Sequence, residues 1–292
     1  AGFLDELRAL LAAHPNVPRG YLELEVLESS ALEDIALVSA VIDASATLGV
    51  SFALDDFGTG YSSLTYLKRL PAQVLKIDQS FVRDMLQDSD DLAILEGILG
   101  LATAFRRRAI AEGVETVAHG ETLLRLGCDL GQGYGIARPM AAADLPAWRQ
   151  RWRPDPRWAH AHCLDRELMP VLIAGVEHRG WIVALGEHLD GRRDAPPPLD
   201  HHQCRFGQWL DKTIHQPRHA ATFATIETLH LRVHALAADL LKRRSQGHDV
   251  EALAGMAELH ALWDALLVHL EYLLKDDPRS LAPSSGGGSN CR

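Results

Sequence analysis

Four short apolar stretches recur along the first half of the chain at intervals of about 30 residues, the length of a strand–helix–strand unit, and each carries an acid at or near its end. Tyr21–Val26 alternates like a strand and carries Glu25, with Glu28 just beyond. Phe52, Ala53 and Leu54 run straight into Asp55 and Asp56. Gln73–Asp78 carries Lys76 and ends on Asp78, and Arg108–Glu112 ends on Glu112. Apolar spacing of three and four residues fills the intervals, at about 31–48, at a short segment stopped by Pro71, at 88–106 and at 116–126, after an opening helix over 3–13. Cys128–Tyr134, rich in glycine, reads as a fifth strand. This alternation predicts βαβ units and a parallel sheet, and parallel α/β folds place their chemistry at the carboxyl ends of the strands. Surface charge has no reason to keep that phase, so the acids are expected to converge.

Adjacent carboxylates at a strand end repel unless a cation sits between them, and hard divalent ions prefer such oxygen ligands. Taken alone, Asp55-Asp56 could equally be a helix cap or a solvated turn; the repetition of acids at strand ends favours a metal site. A loop with Gly58 and Gly60 follows, then a helical start at Ser62-Ser63. The chain has 292 residues, which predicts roughly two domains. Its net charge of −10 argues against coating a nucleic-acid polymer or an anionic membrane. No apolar run reaches membrane-spanning length, and the four cysteines show no disulfide framework, so a cytoplasmic location is expected.

From Trp148 to Trp158 the chain is charged, proline-broken and aromatic, as in a linker. Beyond it the periodicity is wholly helical. Val171, Gly175, His178, Ile182 and Leu185 form one seam; Phe223, Ile226, His230, Val233, Ala237 and Leu240 form another; Leu253, Met256, His260, Trp263, Leu267, Leu270 and Leu274 form a third. The pattern predicts a four-helix bundle. A lone histidine on such a seam is usually a hydrogen-bonded core residue. His230 and His234, one turn apart, can grip one ion together; with a cysteine and a third inward histidine, as His178 is, a tetrahedral zinc site becomes the better reading. His260 is a rival ligand, His201 and His202 are expected in solvent, and His160, His162 and Cys163 form a weaker candidate.

The segments Glu25-Val-Leu-Glu28, Asp55-Asp-Phe-Gly-Thr-Gly-Tyr-Ser-Ser-Leu64, Lys76-Ile-Asp78, Ala111-Glu-Gly-Val-Glu115 and Gln132-Gly-Tyr134 resemble the EAL-domain cyclic di-GMP phosphodiesterases. The resemblance covers residues 1 to about 150. It implies a (βα)₈-type barrel that hydrolyses cyclic di-GMP to linear pGpG through two Mg²⁺ or Mn²⁺ ions. Glu25, Asp55, Asp56 and Glu112 would be metal ligands, Lys76 and Glu112 catalytic, Glu115 and Gln132 substrate-binding, and Glu28 the anchor of the glycine loop. Leu27 stands where the family more often has threonine. The family's Glu-Ala-Leu strand and a metal-binding Asn strand have no counterpart here. The expectation is therefore a partial barrel lacking its N-terminal strands, the C-terminal portion of a longer enzyme with upstream domains, inactive alone.

His178-x-x-Trp181, Cys204-x-Phe206-Gly207-x-Trp209 and His230-x₃-His234 resemble the chemoreceptor zinc-binding (CZB) domain, over about 162–275. That resemblance implies His178, Cys204, His230 and His234 as zinc ligands, a regulatory role and a homodimer. The expected organisation is thus an EAL portion at 1–150, a linker at 151–161, a zinc-binding bundle at 162–275 and a disordered tail at 276–292. The competing function is a non-catalytic cyclic di-GMP receptor or zinc-responsive scaffold.

Overall fold

The computed structural model describes residues 2–60, 64–165, 167–213 and 220–275. Tyr61, Ser62 and Ser63 of the glycine loop, and the tail expected to be disordered at 276–292, lie outside the described residues. The chain divides into two compact units, Ala1–Asp84 with Asp91–Ala161, and Met85–Asp90 with His162–Arg292.

In chain order the first unit contains α1 (Gly2–Ala13), β1 (Glu23–Leu27), α2 (Glu28–Glu33), α3 (Ile35–Ala46), β2 (Ser51–Phe57), α4 (Leu64–Arg69) and β3 (Val74–Ile77). There follow α5 (Gln79–Asp84), α6 (Ser89–Ala104), β4 (Arg108–Ala111), α7 (Val117–Arg125), a 3₁₀ turn at Ala142–Asp144, α8 (Leu145–Arg151) and α9 (Pro156–His160). The four strands form one parallel sheet in the order β1-β2-β3-β4, the wall of a βα barrel in which sequential strands are neighbours. All of β3 is buried, as are Phe52, Ala53 and Leu54 of β2; β1 alternates between exposed and half-buried residues. That gradient makes β2 and β3 the rigid centre on which site residues are mounted. Short polar caps set the helix starts: Asp34 accepts from Leu37 N (3.0 Å) and Thr116 from His119 N (3.3 Å).

The fifth expected strand is reduced to one bridge, Ala111 with Gly131. The reason is close backbone approach. A Cβ on Gly133 would lie 2.3 Å from Val114 N, and one on Gly135 2.8 Å from the Glu115 carbonyl carbon. The segment therefore leaves the ladder to fold over the loop after β4, with Val114 N donating to Gln132 O (3.0 Å) and Gly135 N to Val114 O (2.8 Å).

The second unit contains α10 (Met169–Leu189), α11 (Arg205–Thr213), α12 (Ala220–Ser245), α13 (Asp249–Ala254) and α14 (Met256–Lys275). Three long helices carry the bundle, and α11, with nine residues, is its short fourth member. The α12 seam is buried throughout, from Phe223 to Leu240, and on α10 Val171, His178, Ile182 and Leu185 are buried. The third seam keeps only Trp263, Leu270 and Leu274 of the residues expected in it. A break at Gly255 separates α13 from α14, and the buried residues become Leu259, Trp263, Leu266, Leu270, Leu273 and Leu274. His260 falls on the exposed side of that phase, with its Nδ1 on the Met256 carbonyl (2.6 Å).

Gly133→Ala is expected to destabilise the chain by about 1–3 kcal/mol, because the new methyl meets backbone that cannot rotate away. Gly97→Ala, in α6 with nothing within 4 Å of the new Cβ, is expected to be neutral or stabilising. Urea-unfolding midpoints of the two variants check this.

Candidate metal centres

Two groups of side chains converge, one in each unit. In the first, Lys76 projects from the buried centre of β3 and is only 5% exposed. Its Nζ lies 2.8 Å from Glu25 Oε1, 2.7 Å from Asp55 Oδ1 and 2.7 Å from Glu112 Oε1. The acids arrive from β1, β2 and the end of β4, so the parallel register itself brings them to one cation. Burial disfavours the ammonium, yet the three carboxylates outweigh it and hold its pKa above that of an ordinary lysine. Glu112 is pushed up by burial, an effect that Lys76 partly offsets. Gln132 Nε2 donates to Glu112 Oε1 (2.7 Å) and fixes that carboxylate.

Consecutive residues of a regular strand point to opposite faces, so Asp55 and Asp56 could not share a site in an ideal β2. The register with β3 shifts between Leu54 and Phe57, and Asp56 adopts φ 55°. This bulge, at a residue type that tolerates the left-handed region, leaves oxygens of Asp55, Asp56 and Glu112 within 4.8 Å of one another. Burial and then the neighbouring Asp55 charge push the Asp56 carboxyl up. Such a crowd of oxygen donors suits a hard divalent ion. Glu25 is outside that three-carboxylate group and reaches the site through Lys76. Asp78 is spent locally, accepting from Ser80 N (2.9 Å) at the start of α5.

Glu28, 1% exposed, accepts from Gly58 N through Oε2 (2.9 Å). Burial pushes its carboxyl up, while the amides of Gly58 and Gly60 favour the charged form. Gly58 (φ 105°) has no room for a side chain beside Phe81 and Ile98. Glu115 lines a cavity of about 570 Å³ with Glu112, Gln132, Tyr134 and Arg138, whose guanidinium lies 4.8 Å above the Tyr134 ring. Sequence reasoning missed His119, which is buried and accepts from Glu115 N at Nδ1 (3.3 Å); the Thr116 cap one turn earlier was its only signal.

In the second unit, donor atoms of His178, Cys204, His230 and His234 lie within 4.8 Å of one another. His230 Nε2 is 3.1 Å from His178 Nε2, and Cys204 Sγ is 3.5 Å from His230 Nε2 and 4.0 Å from His178 Nε2. A zinc tetrahedron with ordinary bond lengths has N–N edges of about 3.3 Å and N–S edges of about 3.5 Å, so the donor set fits that ion. The opposite ring nitrogens are already used: His178 Nδ1 meets Ala174 O (3.1 Å) and His234 Nδ1 meets Leu199 O (2.8 Å). These contacts turn Nε2 toward the centre, the usual support of a histidine ligand. His234 Nε2 is buried with no hydrogen-bond partner among the described residues, an orphan that a metal would satisfy. Trp263 stacks on His178 at 5.3 Å and 10°. Burial, then the charges of neighbouring imidazoles, push His178 down to about 4 and His230 to about 2. Burial pushes the Cys204 thiol up.

Comparison with known proteins finds a match in each half of the chain. Residues 1–139 match the family model of the EAL domain, and residues 178–241 that of the chemoreceptor zinc-binding domain. The chain joins an EAL segment to a CZB segment. It is 46% identical over 147 residues to the bifunctional diguanylate cyclase/cyclic di-GMP phosphodiesterase MucR of Pseudomonas aeruginosa, covering 50% of this chain and 21% of MucR. It is 39% identical over 151 residues to the cyclic di-GMP phosphodiesterase PA2567 of the same organism, covering 52% of this chain and 26% of that protein. The chain thus spans about a quarter or less of these relatives. Among solved structures, the EAL domain of Mycobacterium smegmatis DcpA is 38% identical, with a TM-score of 0.49 over 52% of this chain and 68% of that one. The MucR phosphodiesterase in complex with c-di-GMP is 46% identical, with a TM-score of 0.48 over 50% and 58%.

Of the residues expected in the EAL segment, the fold gathers Glu25, Asp55, Asp56, Lys76, Glu112 and Gln132 in one connected cluster, puts Glu115 in the adjoining cavity and gives Glu28 to the loop. In the CZB segment His178, Cys204, His230 and His234 meet, and exposed His260 does not join them. His160, His162 and Cys163 enter no group of three or more metal donors among the described residues. His201, expected in solvent, is only partly exposed and stands 6.1 Å from both the His230 and His234 rings, centroid to centroid.

Neutral imidazoles and a protonated thiol define the proton balance of zinc uptake. The histidines need lose nothing at pH 7, whereas Cys204 must release its proton. Uptake of one zinc per chain is expected to release about one proton, and affinity should rise with pH through the neutral range. Calorimetry in buffers of differing ionisation enthalpy measures that proton count.

Proposed function

We propose that the EAL segment supplies the reacting centre for metal-dependent hydrolysis of cyclic di-GMP to linear pGpG, and that the CZB segment regulates it in response to zinc. The observation that carries the first half is the convergence of Glu25, Asp55 and Glu112 on Lys76, with Asp56 turned into the same space by the β2 bulge. A pair of Mg²⁺ or Mn²⁺ ions held by Glu25, Asp55, Asp56 and Glu112 would supply an activated water and neutralise phosphate charge. Lys76 balances the carboxylates and offers N–H donors where negative charge develops on the phosphodiester oxygens. Glu112, its pKa raised by burial, is placed to take a proton from the attacking water. Gln132 holds Glu112 in position, and Glu115 faces the substrate from the adjoining cavity. Glu28, by gripping Gly58 N, keeps the loop after Asp56 against the site.

Four strands cannot close a barrel, and β1 has no second partner strand among the described residues. Turnover is therefore assigned to a barrel completed by further strands. In a chimera carrying the N-terminal barrel strands of the MucR EAL domain, cyclic di-GMP and Mn²⁺ should yield pGpG. Lys76→Met should lower kcat by about 10²–10³-fold with intact folding. The 292-residue chain alone should yield none. Undiminished turnover by Lys76→Met would sink the assignment of the reacting centre, and turnover by the chain alone would sink the need for further strands.

The regulatory half rests on the buried four-donor cluster and on covalent continuity through residues 148–160. Trp158 Nε1 donates to Val117 O of α7 (2.8 Å), and a Cβ on Gly120 would lie 2.5 Å from the Trp158 ring. The element that follows Glu115 is thus fastened to the end of the linker. The protein is assigned to the cytoplasm, as a homodimer. Zinc chelation should change both the hydrolysis rate of the chimera and its sedimentation; if neither moves, the coupling is wrong.

A further inference from the structure

We propose that His201 is the exchange ligand of the zinc site: an imidazole outside the resting four-donor set through which the ion enters and leaves. The inference rests on the zinc reading of His178, Cys204, His230 and His234 and extends it. His178, His230 and His234 are 2%, 1% and 5% exposed, so no incoming chelator or carrier can reach the centre across them. Cys204 is the one resting ligand with partial access to solvent, and His201 belongs to the same turn. Its ring lies 6.1 Å from both the His230 and His234 rings, only slightly beyond the 5.8 Å that separates the His178 and His234 rings.

The position of His201 is built rather than incidental. The His201 carbonyl accepts from Cys204 Sγ (3.3 Å), and a Cβ on Gly207 would lie 1.8 Å from that same oxygen. Asp200 accepts from His202 N (3.0 Å) and from Gln203 Nε2 (3.0 Å), closing the turn from its other side. Glycine at 207 lets His201 sit directly over the first turn of α11, next to the thiol. His202 is exposed and directed to Asp211 (2.9 Å), and its ring lies against that of His201, 3.9 Å between centroids.

The chemistry is ligand exchange without redox change. With zinc bound, His201 would offer the ion a neutral imidazole nitrogen as Cys204 Sγ lets go, and the released thiolate would be protonated by solvent. Zinc tolerates five-coordinate arrangements in passing, so an extra imidazole lowers the barrier without changing the resting coordination. A site of this kind releases zinc fast enough to report on its surroundings, unlike a closed structural site.

The test uses the zinc-loaded full chain mixed with excess 4-(2-pyridylazo)resorcinol in a stopped-flow instrument. His201→Ala and His201→Asn should each still bind one zinc and give the tetrahedral Co²⁺ absorption spectrum of the wild type, yet yield zinc roughly tenfold more slowly. His260→Ala, on the exposed side of α14, should release zinc at the wild-type rate. Release from both His201 variants at or above the wild-type rate overturns the proposal. So does complete loss of zinc from a variant that keeps its helical circular dichroism, because His201 would then be a permanent ligand. Failure of the zinc reading looks different: the wild type takes up no metal, or Cys204→Ala binds zinc with undiminished affinity.

Discussion

The first unit depends on one electrostatic constraint: several carboxylates cannot share a partly buried space without a cation among them. Lys76 is the cation the fold itself provides. It comes from β3, all four residues of which are buried, so the ammonium is held by packing on both sides rather than by a flexible surface stem. Three contacts of 2.7–2.8 Å offset a desolvation cost of several kcal/mol per ion. Removing the lysine would leave Glu25, Asp55 and Glu112 facing one another. Divalent ions answer the same constraint more strongly, and the bulge that turns Asp56 inward adds a fourth carboxylate to it. A sheet designed only for stability would have no use for a left-handed aspartate beside another aspartate.

The helical unit solves a different problem with opposite chemistry. Its donors are nitrogen and sulfur, neutral at rest because burial removes protons from the imidazoles and keeps one on the thiol. Neutral groups can pack among Phe206, Trp263 and Val233 in the bundle core without the counter-charge the carboxylates need. The price is an unpartnered His234 Nε2 and a tight turn at 201–207. One centre is open, anionic and suited to hard ions beside a cavity. The other is closed on three sides and suited to a borderline ion held by thiolate and imidazole.

Much of this was legible in the sequence, for a physical reason. Burial on both faces gives β2 and β3 near-continuous apolar runs, so the acids that end them stand out. The α10 and α12 seams keep a single helical phase, which places His178, His230 and His234 inward from spacing alone. What spacing could not give was any feature set by a break in period. The bulge at Asp55-Asp56, the loss of the fifth strand at Gly131 and Gly133, and the phase change at Gly255 that moves His260 outward are each local departures with no periodic signature. His119 escaped notice, and His201 was expected in solvent, for a related reason: their placement comes from backbone contacts, to Glu115 N and through the His201 carbonyl, not from the pattern of side chains around them.

Helix α7 shows how the cavity beside Glu112 and the segment 148–160 come to share one element. At its start Thr116 caps the helix and His119 takes the Glu115 amide, fixing the backbone of a residue that lines the cavity beside Glu112. One position further on, Gly120 leaves the gap that Trp158 fills, and the indole N–H is bound to the Val117 carbonyl. Glu115, His119, Gly120 and Trp158 are therefore linked through a single turn of helix. Displacing Trp158 would empty the space over Gly120 and free a carbonyl in the same turn that positions Glu115. A change of tension on the chain just beyond Trp158 need not travel through the whole sheet to reach the cavity. It has to loosen one indole from one glycine.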